Sequence, residues 1–171
     1  MLFRSQLAEN YRQNQESINY TRSMVRKWFT LRPEITEKLG HLKGGVLCHQ
    51  RLGDYAGLGF TVVSPKSYLD AADKFGNPGP LQFVSEENPH QHPDFQGELS
   101  FVPDFVRLMN ADVLFRANST FSWWAATLGT ARVFSPVIDG KGPGEQDCEF
   151  VDGNWPRTFD VDFVTNLHLK D

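Results

Sequence analysis

The feature that most constrains the fold is an alternation of short apolar runs with helix-length segments, which begins after Gly44-Gly45. Val46-Leu47-Cys48 is the first such run, and a short continuous apolar run is typical of a strand buried on both faces of a parallel sheet. Further extended segments are predicted at 60–63, 81–84, 99–102, 112–115 and 132–136. Strands that alternate with helices indicate βα units, so the sequence predicts an α/β domain with a mainly parallel sheet.

Local signals place the helices between these strands. Ser64-Pro65 has the pattern of an N-cap followed by a first-turn proline, which predicts a helix that runs to Phe75. A second helix is predicted over 103–109, and a third over 121–128 with Gly129 as its C-cap. Segments 88–97 and 139–144 are predicted to be irregular because Gly and Pro recur there.

The chain before Gly44 differs in composition, being rich in Gln, Asn, Arg and Glu. Its apolar residues predict a helix over 16–29, with Val25 and Phe29 on one face, and Pro33 suits the first turn of a short helix that ends at Leu39. We therefore predict two parts, an N-terminal helical segment at 1–43 and a main domain at 44–171.

Composition excludes several classes of protein. The 171 residues carry a formal net charge of −4, which does not fit a general nucleic-acid binder. No apolar run is long enough to span a bilayer and the first residues lack a secretory signal, so we expect no membrane span and a cytoplasmic location. Cys48 and Cys148 form neither a disulfide framework nor a zinc pattern, and the His90-x-His92 pair lacks a tetrahedral ligand set, so no metal is expected.

Polar segments follow three of the predicted strands, at 49–55, 85–87 and 116–120. Ligands of open α/β sheets bind beyond the carboxyl ends of the strands. The third segment leads into a helix, whose free N–H groups and dipole favour an anion, and the planar donor fork of Arg51 suits phosphate oxygens. The residues thus predict a phosphate-bearing ligand between two βα turns, although neither glycine-rich phosphate-binding motif is present.

Two of these segments resemble motifs of one enzyme family. The sequence H-Q-R-L-G-D-Y at 49–55 resembles the H-x-R-R-G-D-Y motif of the α-1,2-fucosyltransferases, and A-N-S-T-F-S-W-W-A-A at 117–126 resembles their A-N-S-S-F-S-W-W-A-A segment. Between them, F-V-S-E-E at 83–87 is similar to the family's F-F-S-D-D turn and P-D-F-V-R-L-M at 103–109 to its D-L-x-L-M helix. Upstream, V-R-K-W-F-T-L-R-P-E at 25–34 is similar to I-R-K-E-F-T-x-x-P-E, so the resemblance runs in order from about 23 to 136.

The resemblance implies a GT-B glycosyltransferase, an inverting enzyme without a metal, of which 44–171 would be the C-terminal Rossmann-like, three-layer αβα domain. That domain would bind the donor GDP-fucose. By position, Arg51 would be the catalytic residue, which holds the β-phosphate and stabilises the departing GDP. The remaining site residues it implies are His49 and Asp54 in the nucleotide site, Asn118, Ser119, Thr120 and Ser122 on the pyrophosphate, and Ser85, Glu86 and Asp112 nearer the guanosine.

Two departures from the family leave three hypotheses open. Leu52 stands where many relatives carry a second arginine, and residues 1–43 resemble only the end of the acceptor domain. The chain would be a fucosyltransferase-like hexosyltransferase acting on a glycan acceptor, a non-catalytic GDP-sugar binding module, or a subunit that docks a partner protein or a second copy through residues 16–39. Asp54, Glu86 and Glu87 are open both as a general base and as surface charges.

Overall fold

The computed structural model describes residues 22–154, apart from Lys43, Ala56 and Asp139. Its strands are β1 (Val46–His49), β2 (Thr61–Val63), β3 (Leu81–Val84), β4 (Val113–Phe115), β5 (Arg132–Pro136), β6 (Gly144–Gln146) and β7 (Phe150–Asp152). Its helices are α1 (Arg22–Trp28), α2 (Pro33–Leu39), α3 (Pro65–Lys74), α4 (Val102–Met109) and α5 (Thr120–Leu128). The predicted α/β class is confirmed.

Five strands form the main sheet in the order β3-β1-β4-β5-β7. The first four are parallel and β7 is antiparallel to β5, while β2 and β6 form a separate parallel pair. After β1 the main sheet is extended by β3 on one side, and the chain then crosses to β4 on the other side of β1. The carboxyl ends of β1 and β4 therefore flank the topological switch point, where sheets of this kind bind ligands.

The core lies on both faces of the sheet because successive strand residues point in opposite directions. Cys48 and Phe115 pack with Tyr68 of α3 on one face. Leu47 and Leu114 pack with residues of α4 and α5 on the other. This three-layer packing explains why all four β1 residues are buried and why the run contains no exposed polar position.

The N-terminal helices pack onto the same body. Val25 of α1 is buried against Trp123 of α5, and Leu39 of α2 is buried with Val106 of α4. The predicted helix over 16–29 is observed from Arg22 to Trp28, and its earlier part lies outside the described residues. No helix in the described part of the chain is long and apolar enough to cross a membrane.

Two helix boundaries follow the sequence signals, but one of them has a different physical cause. The Ser64 side chain accepts a hydrogen bond from the Ser67 N–H, as expected of an N-cap. Gly129 does end α5, yet its φ of −84° is not left-handed. A Cβ at this position would lie 2.2 Å from the Met109 carbonyl oxygen, so glycine is required by the close approach of the last residue of α4.

The strand predicted over 99–102 is wrong. A 3-10 turn occupies Gly97–Leu99, and α4 begins at Val102 with Pro103 in its first turn. Proline has no N–H to lose there and its fixed φ suits the first helical turn, which outweighs a four-residue apolar pattern. β6 and β7 were not predicted; the β6 sequence G-E-Q carries no apolar alternation, and its start at Gly144 shortens the predicted loop.

Candidate functional site

A cavity of about 500 Å³ opens at the carboxyl end of the sheet, at the switch point between β1 and β4. Its walls come from the loop after β1, the turn after β3, the first turn of α4 and the start of α5. The predicted site residues that line it are His49, Arg51, Asp54, Ser85, Glu86, Ser119 and Thr120. The tertiary fold thus brings together three segments that the sequence had placed after separate strands.

Arg51 is held beside the cavity by two carboxylates. Its Nη2 donates to Asp54 Oδ1 at 2.7 Å, and its Nη1 lies 3.6 Å from Glu86 Oε1. The guanidinium carbon also lies 5.1 Å from the centre of the Tyr55 ring. The side chain remains about one-third exposed (32%), so its donor fork is oriented and accessible to an anion.

The backbone of this loop is tied to the turn after β3. The Leu52 N–H donates to Glu86 Oε1 at 2.9 Å, and Gly53 follows with a φ of +26°. A Cβ on Gly53 would lie 2.7 Å from the same Glu86 oxygen. The glycine of the H-Q-R-L-G-D-Y segment therefore has a local steric reason, since it lets the Glu86 carboxylate approach the backbone.

His49 forms part of the buried wall of the cavity. Its ring lies 5.5 Å from the Phe121 ring, and its carbonyl oxygen accepts the Tyr68 O–H at 2.7 Å. Burial, together with the positive charges of Arg51 and Arg116, lowers its pKa to about 3. The imidazole is therefore neutral at physiological pH. Its buried Nδ1 has no hydrogen-bond partner within the described part of the chain.

The amino end of α5 forms another part of the cavity wall. Ser119 is the N-cap, and its Oγ accepts the Phe121 N–H at 3.2 Å. Ser119 and Thr120 both line the cavity. The first turn of a helix has N–H groups without intrahelical acceptors and the positive end of the dipole, so this wall favours negative charge.

Three predicted site residues lie outside the cavity wall. Asn118 is buried, and its Nδ2 donates to the Thr61 carbonyl at 3.4 Å, which ties the chain to β2. Ser122 is also buried, and its Oγ lies 3.3 Å from the Ser119 carbonyl within α5. Asp112 precedes β4, and its N–H bonds to Gly45 at the amino end of the sheet. The structure therefore does not bring Asp112 to the expected nucleotide, because the cavity lies at the opposite edge.

Asp104 is a cavity residue to which the sequence analysis gave no role. It is buried in the first turn of α4, and both carboxylate oxygens lie 3.2 Å from the His90 N–H. Burial raises its pKa above the ordinary value. The sequence does show an aspartate in the first turn of an apolar helix. This pattern does not by itself indicate a binding site, because a carboxylate there usually only interacts favourably with the helix dipole.

Arg116 lies behind the cavity and is fully buried. Its Nε donates to Ser135 Oγ at 2.7 Å and its Nη1 to the Ala117 carbonyl at 3.1 Å. Burial lowers its pKa to about 9, so it keeps its charge at neutral pH. Arg51 and Arg116 both act electrostatically on His49 and favour its neutral form.

Comparisons with protein-family models, curated proteins and solved structures found no match to this chain. Within the described residues, no three His, Cys, Asp or Glu side chains are grouped so that they could hold a metal ion. The geometry provides a cavity that is lined by an accessible guanidinium, a helix amino terminus and a buried carboxylate. These groups can bind an anion together with a polar, donor-bearing moiety.

Proposed function

We propose that the chain binds GDP-fucose in this cavity and acts as a fucosyltransferase-like glycosyltransferase. One observation carries the proposal. The segments at 49–55 and 117–126, which resemble two separate motifs of the α-1,2-fucosyltransferases, both contribute walls of the same cavity. On this proposal the domain corresponds to the donor half of a GT-B enzyme, and a glycan is the acceptor.

Arg51 and the first turn of α5 would together hold the pyrophosphate. When the bond between the sugar C1 and the phosphate oxygen breaks, negative charge grows on the leaving GDP and positive charge grows on the sugar ring. A preorganised guanidinium stabilises the leaving group, and a hydrogen bond to a charged group contributes about 1.5–3 kcal/mol. Since about 1.36 kcal/mol corresponds to a tenfold rate change, Arg51 alone would supply roughly ten- to hundredfold.

The buried carboxylate of Asp104 supports a guanine rather than an adenine nucleotide. An ionised carboxylate accepts hydrogen bonds and donates none, so a ligand that contacts it must offer N–H or O–H groups. Guanine presents adjacent N–H donors at N1 and N2, whereas the corresponding edge of adenine has an acceptor at N1. A ligand that donated to Asp104 would also offset the cost of keeping this carboxylate ionised in a buried position.

A specific observation favours the alternative of a non-catalytic GDP-sugar binding module. Each carboxylate that lines the cavity already has a partner: Asp54 pairs with Arg51, Glu86 accepts from the Leu52 backbone, and Asp104 accepts from the His90 backbone. A carboxylate that serves as general base must be free to reach the acceptor hydroxyl. Docking of a partner through residues 16–39 is a third hypothesis; Trp28 and Phe29 of this segment are each about half exposed.

The decisive experiment is calorimetric titration of GDP and GDP-fucose into the wild-type protein and Arg51→Ala, with and without EDTA. Arg132→Ala is the matched control, because Arg132 forms an exposed ion pair with Asp152 and does not line the cavity. We expect metal-independent binding that weakens at least tenfold in Arg51→Ala and is unchanged in Arg132→Ala. Absence of wild-type binding at millimolar GDP would refute the donor site.

Transfer is then tested separately from binding. Wild-type protein is incubated with GDP-fucose and a panel of glycans, and release of GDP is compared with release in the absence of acceptor. Acceptor-dependent release that disappears in Arg51→Ala supports the transferase. Tight binding of GDP-fucose, with no increase in GDP release for any glycan in the panel, supports the binding module instead.

A further inference from the structure

We propose that Glu86 is a positioning residue: it fixes the loop at 50–54 so that Arg51 faces the bound anion, and it does not itself contact the ligand. This inference rests on the proposed function, since it concerns how the donor site is prepared. The resemblance had assigned Glu86 to the guanosine side of the site. The contacts of its carboxylate point elsewhere.

Glu86 accepts a hydrogen bond from a backbone N–H just beyond the end of the β1–β3 ladder. The β1–β3 pairing extends to Gln50, whose N–H donates to the Val84 carbonyl at 2.8 Å. Two residues later the Leu52 N–H donates to Glu86 Oε1 at 2.9 Å. Because Glu86 lies two residues after the end of β3, its side chain continues the connection between the two strands beyond the end of the ladder.

The same oxygen also orients the arginine. Glu86 Oε1 lies 3.6 Å from Arg51 Nη1, so one atom holds both the backbone after Arg51 and its guanidinium. Gly53 makes this arrangement sterically possible, because any Cβ there would lie 2.7 Å from Glu86 Oε1. A glycine at this position and a carboxylate after β3 thus serve a single geometry.

Asp54 contacts Arg51 in a different way. It forms a local ion pair three residues along the chain, and its side chain is 54% exposed against 31% for Glu86. An incoming phosphate can replace an exposed carboxylate on Nη2 at little cost, because exposed ion pairs contribute little. Glu86 cannot be replaced in this manner without releasing the Leu52 backbone.

Two conservative variants separate positioning from direct action by charge. Glu86→Asp keeps the charge but shortens the side chain by one methylene, so it loses the Leu52 N–H. Glu86→Gln keeps the length and an oxygen acceptor but loses the charge. Positioning predicts that Glu86→Asp is the more damaging variant, whereas a general base or a charged ligand contact predicts that Glu86→Gln is.

The test measures hydrogen exchange of the Leu52 amide by NMR without ligand, and GDP affinity by calorimetry, for both variants. Gly53→Ala is a second route to the same displacement, and Glu87→Asp at the exposed neighbouring position is the control. We expect Glu86→Asp and Gly53→Ala to lose Leu52 protection and about tenfold in GDP affinity. Glu86→Gln should retain Leu52 protection and most of the affinity, and Glu87→Asp should match wild type.

Three other outcomes are informative. A larger affinity loss in Glu86→Gln than in Glu86→Asp would overturn positioning in favour of a charged contact. Unchanged exchange of the Leu52 amide in Glu86→Asp would show that Glu86 does not fix the loop backbone. If wild-type protein does not bind GDP, the donor-site proposal fails, and Leu52 exchange still decides whether Glu86 fixes the loop.

Discussion

The loop after β1 (residues 50–60) and the loop after β4 (residues 116–119) leave neighbouring parallel strands and border the same cavity, but they use polar residues in opposite ways. In the β1 loop, Arg51 and Asp54 are paired with each other and partly exposed. In the β4 loop, all four residues are buried, including the charged Arg116. The β1 loop presents its charged side chains to the cavity, and the β4 loop buries its charged side chain inside the protein.

The comparison teaches that a polar run after a buried strand has two explanations. Arg116 donates to the Ser135 hydroxyl of β5 and to the backbone carbonyl of Ala117. Asn118 donates to the backbone carbonyl of Thr61 and so joins the β4 loop to β2. A buried backbone carbonyl needs a donor, and leaving it without one costs about 1–3 kcal/mol. Polar residues of the β4 loop are therefore selected partly by the demands of the fold.

The largest effect is expected from Arg116→Ala. The substitution removes a fully buried side chain and leaves the Ser135 hydroxyl and the Ala117 carbonyl without this donor, so the free energy of unfolding should fall by about 3–5 kcal/mol. Arg51→Ala is the matched variant, for which the loss should stay below about 1 kcal/mol, since exposed ion pairs contribute little. Urea denaturation measures the free energy of unfolding of both variants. Equal losses would show that Arg51 contributes to stability as much as the buried Arg116 does.

The reverse ranking is expected for ligand binding. Arg51→Ala should weaken GDP binding by roughly ten- to hundredfold, which is the contribution of a charge-assisted hydrogen bond. Arg51→Lys keeps the charge without the planar fork and should recover only part of the affinity. Calorimetry at one ionic strength gives both values, and full affinity in Arg51→Ala would mean that the β1 loop does not present charge to the ligand.

The pH dependence of stability tests the wall between the loops. The pKa of His49 is lowered from 6.5 to about 3 in the folded protein. Between these two pH values the imidazole is protonated in the unfolded chain and neutral in the folded chain. Stability from this group is complete above pH 6.5 and is lost as the pH falls toward 3, at up to about 1.4 kcal/mol per pH unit.

His49→Gln should remove that part of the pH dependence, while His41→Gln, at an exposed position, should keep it. Urea denaturation at a series of pH values between 7 and 5 provides the slopes. Identical slopes for wild type and His49→Gln would show that the imidazole is not held neutral by burial beside the two arginines.

The smallest effect is expected at Ser119, the residue of the β4 loop that serves both the fold and the cavity. Ser119→Ala removes the N-cap of α5 and should cost about 1 kcal/mol of stability. Ser119→Asp keeps an acceptor for the Phe121 N–H but adds negative charge to the cavity. It should preserve stability and weaken GDP binding, and an unweakened affinity would place the phosphate away from this helix terminus.

Much of the fold followed from local patterns that the structure confirms. β1, β3, β5 and α3 lie within about one residue of their predicted positions, because buried apolar runs and a Ser-Pro helix start act through the local chain. The strand predicted over 99–102 failed where proline and a turn outweighed a short apolar pattern. β6 was missed since the pairing of G-E-Q with β2 depends on a distant partner.

The candidate site divides along the same line. By itself, the sequence determined which polar segments follow the strands, and that the segment at 116–120 leads into the amino terminus of a helix. Only the tertiary structure decided that Asp104 enters the cavity, that Asn118 and Ser122 do not line it, and that Asp112 lies at the opposite edge. Local propensity acts between chain neighbours, whereas burial and facing direction depend on which strands meet at the switch point, and that is settled only when the whole sheet packs.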